Sequence, residues 1–356
     1  MNILITGACG VAPRAIARSL RMSRIFGGAT LIGTDRGGNW YGFYEGLYQR
    51  VYRVPEPRDP SYASTIAEIC EREAIDVAMV VPEAEVVYWS RRDFPVPTLL
   101  PSGSFADVAI SKRNLYDALR QTDLIPKYSV VTRDDLVARR GLELVAAEVW
   151  LRAYADASSS GAGAIKVAEP EQAYAWAYLN PSIGSFMASE HLPGRNLACC
   201  MLFVDDALLK VACYERVEYF IGHLVMSGVT GHISRGRLVN DERTRAVSEE
   251  AVRIIAKQLG ERAHGLLTID LREDADGAPK VTEINIRHVA GTSALAAGGA
   301  NMSEAQVLAS LGRLDEIGEV VPTFADDNAI LRDIDGEPLW ISPFEVPEVG
   351  QAVSRR

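Results

Sequence analysis

The stretch Gly265–Arg287, GLLTIDLREDADGAPKVTEINIR, decides how the rest of this chain is read. Two apolar segments, about 266–272 and 280–286, flank the turn residues Asp274-Ala275-Asp276-Gly277, which predicts a β-hairpin. Residues two apart on a strand share a face, so Glu283, Asn285 and Arg287 point the same way. Pairing about the turn sets Asp270, thirteen positions before Glu283, opposite it on that face. Two carboxylates and an amide oxygen then converge, with a guanidinium beside them. Oxygen-only, anionic donors are what magnesium takes when it also holds phosphates. An arginine offers a planar fork to phosphate or carboxylate. The pattern predicts a metal–nucleotide site with Asp270, Glu283 and Asn285 as metal ligands.

The wider sequence narrows the setting. A chain of 356 residues suits two or three compact subdomains and buries a substantial core. With 48% hydrophobic and 24% charged residues, it has the composition of a soluble globular protein. The net charge of −10, with no basic run, argues against a nucleic-acid partner, because phosphate backbones are held by clustered Lys and Arg. Cys9, Cys70, Cys199, Cys200 and Cys213 are odd in number and lack zinc or CxxC spacing, so reduced thiols are expected. The chain opens on the strand-like Asn2-Ile3-Leu4-Ile5-Thr6, which does not read as a secretory leader, and no apolar run approaches the ~18 residues of a membrane span. A cytoplasmic protein with no membrane partner is the expectation.

Residues 1–105 alternate strand and helix: NILIT, a helix near 13–22, ATLIGTD at 29–35, a helix near 61–73, then a strand at 75–81. Such alternation implies a parallel sheet covered by helices. Gly7 and Gly10 form a glycine turn before a helix, a placement that can approach a pyrophosphate. The third glycine position is Ala12 and Pro13 follows, so a dinucleotide-binding reading is disfavoured. From about 106 the pattern changes. A helix carrying Lys112 leads to a strand near 128–131, and the strand Glu148–Arg152 enters the Ser/Gly loop Ala157–Gly163. Small side chains let such a loop fold its N–H groups over a polyphosphate, with Arg152 as a counter-charge. Strands at 197–221 surround an Asp205-Asp206 turn, and a long helix near 241–260 precedes the hairpin.

Glu283-x-Asn285-x-Arg287, the acidic residue thirteen positions earlier and the glycine-containing tail His288–Asn301 resemble the ATP-grasp enzymes, in particular those of the carbamoyl-phosphate-synthase type. The proline usual before the arginine is Ile286 here. The resemblance covers about 1–312. It implies an α/β chain, α+β in its nucleotide half: a Rossmann-like pre-ATP-grasp domain (1–105), two ATP-grasp subdomains (106–188 and 189–312) and a C-terminal extension (313–356). It further implies ATP with two Mg²⁺ ions, Mn²⁺ being an alternative. Lys112, Arg152, Ser158, Ser159, Ser160, Gly161 and Gly163 would lie on the phosphates. Glu190 and Leu192 would meet the adenine, and Asn196 the ribose, where the family usually has Glu. Arg287, Arg216 and Arg235 would hold the acyl substrate, with N–H groups around Gly291 and Gly298–Gly299.

The implied activity joins a small-molecule carboxylate to an amine through an acyl phosphate, releasing ADP and phosphate. A phosphotransferase on the same fold and a non-catalytic nucleotide-binding module remain as alternatives, and a homodimer is compatible with the sequence. A complete carbamoyl phosphate synthase is disfavoured by the single metal motif. The tail at 328–338 reads as a small hairpin.

Overall fold

Short apolar strands alternating with amphipathic helices build a parallel sheet first. The computed structural model describes residues 1–37, 40–142, 146–154, 163–225, 228, 230–332 and 347–354. Strands β1 (Asn2–Thr6), β2 (Thr30–Asp35), β3 (Arg50–Arg53) and β4 (Val77–Met79) lie in the order β3-β2-β1-β4, with every neighbour parallel. Helices α1 (Val11–Arg21) and α2 (Tyr62–Arg72) lie between them in the chain. A parallel sheet must be covered on both faces, and Ile3, Leu4 and Ile5 of β1 are accordingly all buried. Helices α3 (Glu83–Trp89), α4 (Gly103–Ile110) and α5 (Lys112–Leu119) follow. The hydroxyls of Ser102 and Ser111 cap α4 and α5 by accepting from Phe105 N and Asn114 N.

Four strands, β5 (Tyr128–Thr132), β6 (Val149–Ala153), β7 (Ile165–Val167) and β8 (Ser185–Glu190), form a second, antiparallel sheet in the order β5-β8-β6-β7. Helices α6 (Arg133–Val137) and α7 (Pro170–Leu179) cover it. The third sheet holds β9 (Asn196–Val204), β10 (Ala207–Tyr219), β11 (Ile233–Val239), β12 (Gly265–Glu273), β13 (Pro279–Asn285) and β14 (Ile330–Leu331), in the order β13-β12-β9-β10-β11-β14. Asp205 and Asp206, at φ 48° and 72°, make the two-residue turn between β9 and β10, a conformation that Asp tolerates. Helix α8 (Glu242–Leu259) starts on the Asp241 cap and stops at the left-handed Gly260. Its Ser248, Ala251, Val252 and Ile255 form the face turned to this sheet. Helices α9 (Thr292–Ala297) and α10 (Met302–Ser310) pack on α1.

Of the hairpin expected at 328–338, residues 333–338 lie outside the described residues, and Ile330–Leu331 add to β11 as an edge strand. Farther on, β15 (Ala352–Ser354) pairs antiparallel with β3 of the first sheet. Among the described residues no helix is long and apolar enough to cross a membrane. The five cysteines form no disulfide, and Cys199-Cys200 is buried within β9.

The cores divide unevenly. Leu4 and Ile32 of the first sheet share one apolar cluster with Phe105, Leu115, Leu197, Ile269 and Ile284. A second cluster joins Ile5 and Ile16 to Tyr214 and Leu266. The first and third sheets are thus continuous inside. The second sheet keeps its own small core of Val149, Leu151, Ile165, Phe186 and Ala188.

Gly265 ties the third sheet to the segment entering α4. Its φ is +96°, and a Cβ there would lie 2.5 Å from Pro101 N. Gly277, in the hairpin turn, also has positive φ (+76°) but faces open space. We expect Gly265→Ala to cost more than the ~1–3 kcal/mol of backbone strain alone, because the clash is with main chain, and Gly277→Ala to cost no more than strain. Urea unfolding of both variants checks this; equal losses would mean that the Pro101 contact is unimportant.

Candidate active site

The second sheet faces the third across a cleft of about 180 Å³. One wall carries Trp150 and Arg152 of β6 and Ser189 and Glu190 of β8, followed by His191 and Leu192. The other carries Asn196, Arg216, Tyr219, Asp270, Arg272 and Glu283 from four strands of the third sheet.

The hairpin at its base has one irregularity that matters. From the turn, Glu273 pairs with Pro279, Arg272 with Lys280 and Leu271 with Val281. Continued regularly, that ladder would set Asp270 against Thr282. A bulge intervenes, and Asp270 pairs with Glu283 instead. Thr282 is the extra residue, and its hydroxyl donates to Asp270 O at 3.1 Å. The two carboxylates therefore stand directly opposite on one face.

Cations surround both. Lys112 Nζ, on a side chain that is almost wholly buried, lies 3.4 Å from Glu283 Oε2. Arg152 donates from Nη2 to the Tyr116 hydroxyl at 2.5 Å and reaches Thr282 O from Nη1 at 3.5 Å. Burial by itself would raise the Glu283 pKa, but Lys112, Arg152 and Arg287 reverse this and hold it below the usual carboxylate range. Asp270 goes the other way: burial, with Glu283 adding to it, outweighs Arg216 and Arg287 and raises its pKa. Arg216 Nη2 donates to Asp270 Oδ1 at 2.5 Å and its Nη1 to Asn196 Oδ1 at 3.1 Å. Asn196 Nδ2 in turn donates to the Tyr219 hydroxyl at 2.7 Å.

The donors fit magnesium. Among the described residues no group of three His, Cys, Asp or Glu converges, so protein carboxylates alone would not cage a cation. Asn285 Nδ2 points at Thr268 O (3.4 Å) and Asp270 Oδ2 (3.5 Å), which leaves its Oδ1 as an acceptor. Two carboxylates and an amide oxygen, completed by water and phosphate oxygens, are a usual magnesium environment.

The expected residues do not all arrive here. Arg152, Glu190, Leu192, Asn196, Arg216, Asp270 and Glu283 line the cleft. Lys112 joins through Glu283, while Glu190 Oε1 accepts from Lys127 N at 3.1 Å. Asn196, given to the ribose, is engaged with Arg216 and Tyr219. Arg216, given to the acyl group, is engaged with Asp270. Arg235 is half exposed and pairs with Glu218 at 2.7 Å, so the structure does not bring it to the cleft. The N–H groups of Gly298 and Gly299 donate to Ala294 O and Ala296 O, which closes α9 and removes them from any acyl-phosphate role. Gly163 leads into β7 with φ +65° and its carbonyl accepts from Trp176 Nε1; Ser158, Ser159, Ser160 and Gly161 lie outside the described residues. Sequence reasoning missed Trp150, His191, Arg272 and Tyr219. Only Arg272, two residues beyond Asp270, had a strand-period signal.

Beyond the carboxylates, Arg287 Nη1 donates to His288 O at 3.0 Å, and Arg287 O accepts from the Thr268 hydroxyl at 3.2 Å. His288 is buried at the centre of a relay. Its Nε2 lies 2.8 Å from Gln306 Oε1, Gln306 Nε2 donates to Leu99 O at 3.0 Å, and Nδ1 lies 3.0 Å from Thr292 Oγ1. With the Gln306 amide so directed, His288 carries its proton on Nε2 and accepts at Nδ1 from Thr292. The relay fixes the residue after Arg287 to α9, to α10 and to the segment that precedes α4.

The fold has counterparts among solved structures. It superimposes on an L-amino acid ligase from Bacillus licheniformis with a TM-score of 0.61 and 16% identity, covering 87% of this chain and 74% of that one. A phosphoribosylamine–glycine ligase from Thermotoga maritima gives 0.61 at 17% identity, over 90% and 76%. An N5-carboxyaminoimidazole synthetase from Staphylococcus aureus complexed with ADP gives 0.62 at 10% identity, over 88% and 77%. No protein-family model and no curated protein matches the sequence. The chain has the ATP-grasp fold, preceded by a Rossmann-like α/β domain.

Burial pushes the His288 pKa down to about 3, so the folded protein keeps the ring neutral where the unfolded chain, near 6.5, takes up a proton. The stability this represents is full above pH 6.5 and is lost as pH falls toward 3, at about 1.4 kcal/mol per unit. In His288→Gln that loss is absent, so the gap between wild type and variant should narrow steadily on acidification. Denaturation curves at pH 7, 6, 5 and 4 measure it, and a constant gap would contradict a neutral buried ring.

Proposed function

We propose that this chain is an ATP-dependent carboxylate–amine ligase. The observation that carries the reading is the bulged hairpin's pair of opposed carboxylates in a cleft between two antiparallel sheets, ringed by Lys112, Arg152, Arg216 and Arg287. Such a site suits a polyphosphate and its counter-cation better than any neutral ligand. The solved structures of like fold add support, being named as ligases or synthetases, one in complex with ADP and another, a D-alanine–D-alanine ligase, with ATP.

In this reading the adenine lies against Leu192 and the Glu190 strand end, and the triphosphate runs toward Glu283. Lys112 and Arg152 screen the phosphates while holding Glu283 ionised. Magnesium held by Asp270, Glu283 and Asn285 would offset charge on the β- and γ-phosphates. For that to happen Arg216 must share or release Asp270, which frees its guanidinium for the substrate. An oxygen of the substrate carboxylate attacks the γ-phosphorus as the bond to the β–γ bridging oxygen breaks, giving an acyl phosphate and ADP. The amine then attacks the acyl carbon, phosphate leaves with the C–O bonding pair, and the amine proton passes to phosphate or solvent. Arg287 orients the transferred group as an electrostatic clamp. No nucleophilic side chain takes part.

The test is a screen of carboxylate and amine pairs with ATP, read by mass spectrometry for the amide and by ADP release. Glu283→Gln should abolish turnover while the protein stays folded. Arg287→Lys keeps the charge but loses the fork, so kcat should fall roughly 10²-fold with ATP affinity little changed. Glu190→Ala should mainly weaken ATP binding. ADP release with a phosphorylated product and no amide would favour a phosphotransferase; full activity in Glu283→Gln would sink the site assignment.

A further inference from the structure

Strand pairing sets the side chains of the third sheet's cleft wall in rows. Arg216 of β10 stands opposite Asn196 of β9, and Asn196 stands opposite Arg272 of β12. Arg272 in turn pairs with Lys280 of β13. Residues directly opposite on neighbouring strands share a face, so these four form one line across the sheet. The next line along holds Asp270 and Glu283. Two residues of β12 separate the lines, a step of about 7 Å.

Three of the four are cations, and two of those are engaged. Arg216 is bound to Asp270. Lys280 Nζ donates to Asp123 O at 2.8 Å and lies 3.7 Å from Asp274 Oδ2. Arg272 differs: its Nε is shielded from solvent and has no hydrogen-bond partner among the described residues. The carboxylates nearest to it in sequence are committed elsewhere. Asp270 serves Arg216, Glu273 Oε2 accepts from Arg195 Nε at 3.0 Å, and Asp274 Oδ1 accepts from the N–H groups of Asp276 and Ala278. Buried donors are nearly always satisfied, so this nitrogen lacks an acceptor that a ligand can supply.

The cavity shows which part of a ligand that would be. Arg272 lines the cleft together with Glu190, His191 and Leu192 as well as with Asp270 and Glu283. Its neighbour Glu273 is tied to the segment just past Leu192, since Gly194 N donates to Glu273 O at 3.0 Å and Glu273 N to Arg195 O at 3.1 Å. Arg272 therefore stands between the end given to the base and the end given to the triphosphate. Asn196, beside it in the row, is already held: its Oδ1 accepts from Arg216 at 3.1 Å and its Nδ2 donates to the Tyr219 hydroxyl at 2.7 Å. Between base and phosphates a nucleotide carries its sugar, whose hydroxyl oxygens accept hydrogen bonds.

We propose that Arg272 is the specificity-determining residue for the sugar, its guanidinium donating to a ribose hydroxyl so that the cleft favours a ribonucleotide over a deoxynucleotide. The inference rests on the reading of the cleft as a nucleotide site. It gives the sugar contact to a charged donor on β12 in place of Asn196. A pocket built to hydrogen-bond a hydroxyl disfavours the analogue that lacks it, because its own donor is then left unpaired.

The experiment is calorimetric titration of ATP, 2′-deoxy-ATP, 3′-deoxy-ATP and inorganic tripolyphosphate into the full-length protein with saturating Mg²⁺. We expect wild type to bind ATP about tenfold or more tighter than at least one of the deoxy analogues, the scale of a hydrogen bond from a charged donor. Arg272→Met keeps the apolar stem and loses the donors, so its affinity for ATP should fall to that for the disfavoured analogue. Tripolyphosphate should bind both proteins alike. Equal affinity of wild type for ATP and both analogues would overturn the proposal while leaving the nucleotide reading intact, and that comparison needs no variant. Discrimination that persists in Arg272→Met would also overturn it. So would a matching loss of tripolyphosphate affinity, which would place the guanidinium on the phosphates. A wild type that binds no ATP sinks the nucleotide reading and this inference together.

Discussion

One displaced residue in an antiparallel pairing organises this protein's chemistry. Thr282 bulges from β13, and for that reason Asp270 meets Glu283 rather than a threonine. Two like charges side by side are unfavourable unless compensated, and the fold brings Lys112 from α5, Arg152 from β6 and Arg216 from β10 to do so. These elements are distant in sequence and each is held by something else as well: Lys112 by burial, Arg152 by Tyr116, Arg216 by Asn196. Each carboxylate thus has cations beside it that are themselves anchored, although Arg152 Nε is buried with no partner among the described residues. Its opposite pKa shifts follow from position alone, since Glu283 has three cations acting on it and Asp270 has both burial and Glu283 against it.

The distribution of apolar contacts explains where the cleft lies. The first and third sheets share cores, so they behave as a single body on which α4, α5 and α8 are packed. The second sheet is held together by its own few residues. The cleft lies where this lobe meets the main body, with polar side chains on both walls and Met187 of β8 reaching into the larger core beside it. Elements with fewer shared apolar contacts are where local opening is least costly. The C-terminal part adds a strand to the third sheet at Ile330–Leu331 and another to the first at Ala352–Ser354, so it links the two sheets of the main body.

Much of this was legible in one dimension. The strand–turn–strand at 266–286, the aspartate turn at 205–206, the helix near 241–260 and the βα alternation of the first domain all depend on local periodicity and turn chemistry, which act between residues close in sequence. Arg235 misled because an arginine on the right strand is indistinguishable by sequence from one that turns outward to Glu218. Gly298 and Gly299 misled because a glycine that ends a helix looks like one that opens a phosphate site. Trp150, Tyr219 and Arg272 were missed because their roles come from which strands lie across the cleft, and that depends on the sheet order.

By itself, then, the sequence determined which residues the hairpin would gather: carboxylates at a spacing that only a hairpin brings together, an amide on the same strand with an arginine two residues on, and a glycine-containing tail behind them. It also determined the α/β class of the first domain, because hydrophobic period is a local property. Pairing about the turn had set Asp270 against Glu283, but only the tertiary structure shows that a bulge, not regular pairing, produces that register. Counting outward from the turn cannot reveal a bulge, since its displacement is absorbed by pairing of β12 with β9 on its other side and by Thr282 reaching back to Asp270 O. It decided, too, that Asn196 serves Arg216 and that His288 is a neutral buried relay. Such assignments depend on groups hundreds of residues apart sharing one small, poorly solvated space, where burial and neighbouring charge set protonation and partnership, and no local pattern encodes that.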